Sequence, residues 1–308
     1  MATSNESELR MYTSNPGHTK TSFGGVARNI SEAIARLGHA PLFLSAVADD
    51  PFGETLRRHC IEELNMSDRG LRVVSSDLAR TGMYVALFDK HGDLQSAVAD
   101  ADIAKNFVTS EFVRKFRTEI ENASVVVVDA NLCETTLSEI GDMVTGCCWL
   151  EPTSVAKAAS FVRAGLLKHV SVISPNEDEL DAMFREITHT SSSRSSDVDL
   201  ETKSRRVLNE MKEDSSVVVT LGEQGVAIMS TNEDNMSYFE PGNVESIKNC
   251  TGAGDTLVGA TVWAMAHRNL SLDDAVRSVG MRAAERTLAS EEPVCPTLSS
   301  MEETGLFF

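Results

Sequence analysis

The chain has few aromatic side chains and few basic ones. Of 308 residues only two are Trp and three Tyr, and 28 basic residues face 46 acidic ones, a formal net charge of −18. A field of that sign repels a polyanion, so nucleic acid is not an expected partner. No apolar run approaches the roughly 20 residues needed to cross a bilayer, so no membrane partner is expected either. The first 23 residues are polar and hold no signal-type apolar segment, and cytoplasmic placement is the expectation. The six cysteines (Cys60, Cys133, Cys147, Cys148, Cys250 and Cys295) contain no C-x-x-C pair and no zinc-type spacing with histidine. They read as small hydrophobic residues in reducing surroundings. Also missing are a Walker A Gly-Lys-Ser/Thr and a G-x-G-x-x-G fingerprint.

The chain that remains is long enough for one large α/β domain or two ordinary ones. Residues 1–18 are rich in Ser, Thr and Asn without periodicity, and an irregular segment is expected there. After Gly24-Gly25, apolar residues at Val26, Ile30, Ala33, Ile34 and Leu37 fall at helical spacing, and Gly38 ends the run. A strand is predicted at 41–47 and a helix at 52–64. Two β-type runs, 82–88 and 94–98, flank a hairpin signal at 89–93. From Ser124 the pattern alternates. Strands are predicted at 125–128, 147–150, 170–173 and 217–221, with helices near 135–144, 155–167 and 200–211. The β-branched run Val125-Val126-Val127-Val128 suits a strand buried on both faces of a parallel sheet. Such alternation predicts a doubly wound α/β domain that binds ligands at the carboxyl ends of its strands. Residues 188–198 read as a polar loop insertion.

Several segments could carry chemistry. Asn249-Cys250-Thr251-Gly252-Ala253-Gly254-Asp255 precedes an apolar helical run. Small residues there let the first helical N–H groups converge on an anion, and Asp255 could take a proton from a hydroxyl beside them. The plain alternative is a glycine turn with an acid in the first turn of a helix. Gly24, Gly25 and Asn29 repeat the device, and Asn29 offers the donor and acceptor that sugar hydroxyls need. Asn176 and Glu179 follow a strand and Pro175, as oxygen ligands of a hydrated Mg²⁺ would, or as dipole partners of a new helix. Thr220, Gly222 and Gly225 form a strand end and a tight turn, which could support a nucleotide or simply close a hairpin.

Taken in order, these segments resemble the ribokinase (PfkB) family of carbohydrate kinases. The first signature is similar to Gly24-Gly25…Asn29 with Ala35-Arg36-Leu37-Gly38. Asp49-Asp50-Pro51-Phe52-Gly53 resembles the G-x-D-x-x-G segment, with Ala48 where glycine is usual. Asn176-x-x-Glu179, Thr220-Leu221-Gly222 and Thr251-Gly252-Ala253-Gly254-Asp255 match its later motifs. The resemblance implies a ribokinase-like fold, with residues 19–308 forming one kinase domain and a small β-rich lid drawn from 19–23 and 71–98. It implies transfer of the ATP γ-phosphate to a primary hydroxyl of a sugar or nucleoside. Asp255 would be the base, Gly252, Ala253 and Gly254 the anion hole, and Gly24, Gly25 and Asn29 the sugar clasp. Thr220, Gly222, Gly225 and Thr251 would meet the nucleotide, Asn176 and Glu179 would hold Mg²⁺ through water, and Asn249 would adjoin a K⁺ site. Within the family, 24–30 with Ser31-Glu32, Glu151-Pro152-Thr153-Ser154 with Lys157, and Asn249 look most like members acting on pseudouridine. Lys157 reads either as a charge near the site or as a solvated helix lysine. The lid could pair with a second copy. The resemblance also implies an amino-terminal strand carrying a sugar-gripping Asp, and residues 1–23 contain no Asp. A member acting on another ribose-like sugar or nucleoside, and a catalytically silent one, are the alternatives.

Overall fold

The computed structural model describes residues 1–299 except 7, 8, 11, 92, 93, 191–194, 196 and 245. In chain order its strands are β1 (Ala2–Ser4), β2 (Gly17–Thr19), β3 (Ser45–Ala48), β4 (Leu71–Val74), β5 (Met83–Phe88), β6 (Leu94–Asp100), β7 (Val125–Asp129), β8 (Cys147–Glu151), β9 (Val172–Ile173), β10 (Ser216–Thr220), β11 (Val226–Ser230) and β12 (Ser237–Phe239). The central sheet has the order β12-β11-β10-β9-β8-β7. Strands β7 to β10 are parallel, and β11 and β12 continue antiparallel. The β-branched run becomes β7, but the expected burial on both faces is corrected: β7 ends the sheet with a neighbour on one side alone, so Val128 is buried while Val125, Val126 and Val127 are half-buried.

Side chains alternate across this sheet with the period of two that a strand imposes. On one face lie Val128, Leu150, Ile173, Val217, Val219, Ala227 and Met229. Trp149, Val172, Val218, Val226 and Ile228 lie on the other. The longer helices are α1 (Val26–Arg36), α2 (Pro51–Arg58), α3 (Glu134–Met143), α4 (Val155–Arg163), α5 (Glu177–Thr188), α6 (Leu200–Leu208), α7 (Ala253–Arg268) and α8 (Met281–Leu288). Apolar residues of α3 to α6 cover the first face. Those of α1, α7 and α8 cover the second. The result is the helix–sheet–helix layering of a doubly wound domain. Among the described residues no helix is long and apolar enough to cross a membrane.

Helix α7 organises the second layer. Every residue from Thr256 to Ala264 is buried, as expected of a helix that is apolar around its whole circumference. Its Gly259 lets α1 come close: a Cβ there would lie 2.7 Å from the Ile30 carbonyl oxygen and 2.8 Å from the Ala33 Cβ. That approach sets the relative height of the two helices, and hence of the residues at their amino ends.

A second, four-stranded sheet has the order β2-β1-β5-β6, and β3 pairs parallel with β4 in a third. These pairings correct three expectations. Residues 2–4 and 17–19 are strands, although 1–18 carries no periodicity. Three-residue strands are too short to show a period, and β1 is fixed by its pairing with β5. Residues 71–74, assigned by sequence to the small β-rich portion, instead extend β3, with Leu71 and Val74 buried. The strand predicted at 41–47 is confined to 45–48. Part of the 89–93 hairpin turn and part of the 188–198 insertion fall outside the described residues at 92, 93, 191–194 and 196, as do 300–308. Cys250 is exposed in the loop before α7 and departs from the core role expected of the cysteines.

The close α1–α7 contact has a measurable consequence. Gly259→Val must push the helices apart or distort them, at a cost of about 1–3 kcal/mol. The urea unfolding midpoint should fall at unchanged slope, and a midpoint equal to that of the wild type would show that the helices do not approach as described.

Candidate functional site

The parallel strands deliver their carboxyl ends to one edge of the sheet. Strand β7 ends at Asp129, β8 at Glu151 and β10 at Thr220, while β9 runs on through Ser174 and Pro175 to Asn176. Asn176 and Thr220 are bridged in parallel register, and the Thr220 N–H donates to the Pro175 carbonyl over 3.0 Å. The Asn176-x-x-Glu179 and Thr220–Gly225 segments therefore sit side by side.

Above this edge lies the amino end of α7. Gly252 takes the left-handed conformation with φ near 80°, and a Cβ on it would fall 2.0 Å from the Pro293 carbonyl oxygen. Only glycine fits. Among the described residues no side chain caps this helix, so its first N–H groups, from Ala253 onward, are left to meet a ligand. Nothing lies within 4 Å of where a Gly254 Cβ would be, which keeps that approach open. Such an end attracts an anion through its dipole and its unpaired donors.

Asp255 stands in the first turn, and Asn29 Nδ2 donates to its Oδ2 over 2.6 Å. Burial pushes the Asp255 carboxyl up to about 6, the Asn29 bond and Arg28 acting downward and Asp129 upward. A carboxylate so raised is poised to accept a proton near neutral pH. Gly25, at φ 103°, leads into α1, while Gly24 has open space around it. The Ala27 N–H donates to Asp129 Oδ2 over 3.2 Å, which ties the start of α1 to the end of β7.

Glu151 reaches the same neighbourhood. Ser174 Oγ donates to its Oε2 over 2.6 Å and itself accepts from Trp149 Nε1 over 2.7 Å. Its burial, with Asp255, Glu179 and Asp129 nearby, holds the carboxyl well above the usual range. Asn176 and Glu179 form a capping box: Glu179 N donates to Asn176 Oδ1 over 2.8 Å, and Asn176 N to Glu179 Oε2 over 3.0 Å. One Glu179 oxygen lies outside that pair, and burial raises this carboxyl too. In the next turn, Gly225 at φ 94° approaches the Phe239 carbonyl and Gly222 at φ 58° borders open space. The turn does close a hairpin, between β10 and β11. Asn249 Oδ1 accepts from Thr251 N over 2.9 Å and so shapes the loop before α7. Lys157 Nζ donates to Asn131 Oδ1 beyond the end of β7, which makes it a bonded rather than a simply solvated lysine.

The structure thus joins Asn29 directly to Asp255, and Asn176 to Thr220. It shows no hydrogen bond from the Thr220–Gly225 turn to Asp255 among the described residues. Asp129 and Glu151 went unassigned by sequence reasoning. Their signal was available: each is an acid that closes an apolar strand run.

A scan for known families matches the pfkB family carbohydrate kinase model over residues 2–291. The chain is similar to the pseudouridine kinase of Arabidopsis thaliana, with 27% identity covering 92% of this chain and 86% of that protein. It is also similar to the pseudouridine kinase of Escherichia coli, with 30% identity over 57% of this chain and 54% of that one. Its fold matches that of the ribokinase from Thermotoga maritima with a TM-score of 0.80, at 18% identity and covering 98% and 95% of the two chains. Because that family model matches it along nearly its whole length, the chain belongs to the pfkB family of carbohydrate kinases.

Proposed function

We propose that this kinase transfers the γ-phosphate of ATP to the 5′-hydroxyl of pseudouridine. The observation that carries the reading is the 2.6 Å bond between Asn29 and Asp255 at the open amino end of α7. It supports the reading because Asn29 would then bind the hydroxyl beside Asp255 as base, next to the open N–H groups that would take the anion. The substrate is supported by the names of the two relatives and by the runs at 24–32 and 151–157 that resemble members acting on that nucleoside.

In this reading Gly24, Gly25 and Asn29 hold the sugar with its primary hydroxyl against Asp255. The carboxylate takes the hydroxyl proton as the oxygen bonds to the γ-phosphorus, and the bond to the β-phosphate oxygen breaks to release ADP. Charge on the transferred group is met by the backbone amides of Gly252, Ala253 and Gly254. Thr220, Gly222, Gly225 and Thr251 would line the nucleotide. Mg²⁺ supplies charge neutralisation on the phosphates when bound. The donor set fits it: Asn176 and Glu179 are hard oxygen ligands that would hold a hydrated ion through water, and among the described residues no cation pairs with the raised Glu179 carboxyl. K⁺ would adjoin Asn249, whose Oδ1 accepts from Thr251 N and keeps a second lone pair for a cation. The small sheet would act as a lid. Met83, Tyr84, Val85 and Val98, all exposed on its β5–β6 pair, would meet the same surface of a second copy, whether or not nucleotide is bound.

Turnover of a nucleoside panel with Mg²⁺ and ATP, followed by ADP release, tests the substrate. Pseudouridine should react fastest, and equal rates with uridine, ribose and adenosine would reject that choice. Asp255→Asn should lower kcat by about a hundredfold or more while leaving ATP affinity nearly unchanged. A variant that kept most of its rate would remove Asp255 from the role of base. Because the base works deprotonated, kcat/KM of the wild type should fall as pH drops below about 6, and an acid limb near 4 would contradict the buried setting. Sedimentation should give a dimer, lost on changing Val85 and Val98 to serine, and a monomeric wild type would refute the lid contact.

A further inference from the structure

Asn29 presents a different group at each end of its amide, and only its NH₂ end can donate to Asp255. The other end, Oδ1, accepts from Arg28 Nη2, which also donates to the Phe23 carbonyl over 3.2 Å. A guanidinium carries donors and no acceptor. Its neighbour must therefore be the amide oxygen, and the nitrogen must face Asp255.

This guanidinium is buried, with Arg28 only 3% exposed. Its charge is balanced by Glu32 one turn later, to which Arg28 Nη1 donates. The second Glu32 oxygen accepts from Arg36 Nε over 2.7 Å and lies 3.7 Å from His59 Nε2. Burial acts upward on the Glu32 carboxyl, but His59, Arg28 and Arg36 outweigh it and hold it down at about 2. The Phe23 ring closes the cluster, stacked on His59 at 4.1 Å with the Arg28 guanidinium 5.8 Å away. A buried ion pair adds little net stability compared with an apolar pair of similar size. What it does supply is direction, because the planar fork leaves each acceptor one place.

We infer that Arg28, held by Glu32, is a positioning residue for phosphoryl transfer, its guanidinium fixing the Asn29 amide with the NH₂ group toward Asp255. The inference rests on the reading of Asp255 as the base. Without the fork the amide can turn, and two oxygens would then face each other across the site. The groups around Asp255 are Asn29, Arg28, Asp129 and Glu151. Losing the donor among them favours the protonated acid.

Two variants test this in the full chain. Arg28→Lys keeps the charge but cannot reach Glu32, Asn29 and Phe23 together. Arg28→Met with Glu32→Gln removes both charges at nearly constant volume. With melting temperature measured alongside, each folded variant should lose about tenfold or more in kcat, since small misplacements near a reacting centre can cost up to a hundredfold. KM for ATP should hold, and the acid limb should move to higher pH. Wild-type kcat and an unmoved limb in folded Arg28→Lys would overturn the inference. A readout that needs no turnover separates it from the base reading. The Asn29 side-chain amide protons, assigned through Asn29→Asp, should shift as Asp255 titrates in the wild type but not in Arg28→Lys. If they still follow Asp255 in that variant, Arg28 does not set the amide. If Asp255→Asn keeps its rate while the amide behaves as described, the base assignment fails and the positioning stands.

Discussion

The close packing of α1 on α7 is the contact on which the rest of the site depends. It brings together two residues 226 positions apart, Asn29 and Asp255, and is possible because Gly259 presents no side chain to the Ile30 carbonyl. Each helix is anchored separately. Helix α1 is held at its start by Asp129 from β7, and α7 is buried along most of its length. The sheet therefore fixes both partners, and the glycine sets the distance between them. A site built this way sits on rigid elements rather than on loops, which suits a reaction controlled mainly by position and charge.

Charge is where this architecture is least comfortable. Asp129, Glu151, Glu179 and Asp255 share one neighbourhood, and three of them are raised by burial. Folding brings these carboxyls together against their mutual repulsion and desolvation. The sign follows for stability. A carboxyl whose folded pKa exceeds its unfolded value binds protons more tightly in the native state, so native stability falls as pH rises through that interval. For Asp255 the interval runs from 3.8 to about 6. If the proposed function is right, such a cluster is retained for the chemistry at some cost to the fold.

Much of this could be read from the residues. The β-branched run at 125–128 announced a strand, though not its place at the sheet edge, and the glycine turns before two helices marked both ends of the Asn29–Asp255 pair. The spacing Asn176-x-x-Glu179 read as Mg²⁺ ligands or helix-dipole partners, and its capping box emerged only with the helix. Long-range pairing was harder to see. Strands β1 and β2 hold three residues each, too few for a pattern, and exist because β5 offers them an edge. The role of Arg28 was hidden for a similar reason. A charged residue in the first turn of an apolar helix reads as solvent-facing until packing places it beside Phe23 and Glu32. The acids Asp129 and Glu151 were visible as strand ends, but their convergence depends on the register of β7 with β8, which pairs them directly.

The floor of the anion turn comes from much later in the chain. Gly252 rests against the Pro293 carbonyl, and the segment after it is pinned by the Cys295 N–H on Thr287 Oγ1, which in turn bonds Thr256 Oγ1 within α7. Val294, Cys295 and Leu298 are buried in the same core as α7. A turn wedged from below in this way would already be formed when the phosphate of the proposed reaction arrives. If the proposed nucleotide site is correct, escape of the spent nucleotide would have to come from movement of other parts of the site, not from this turn.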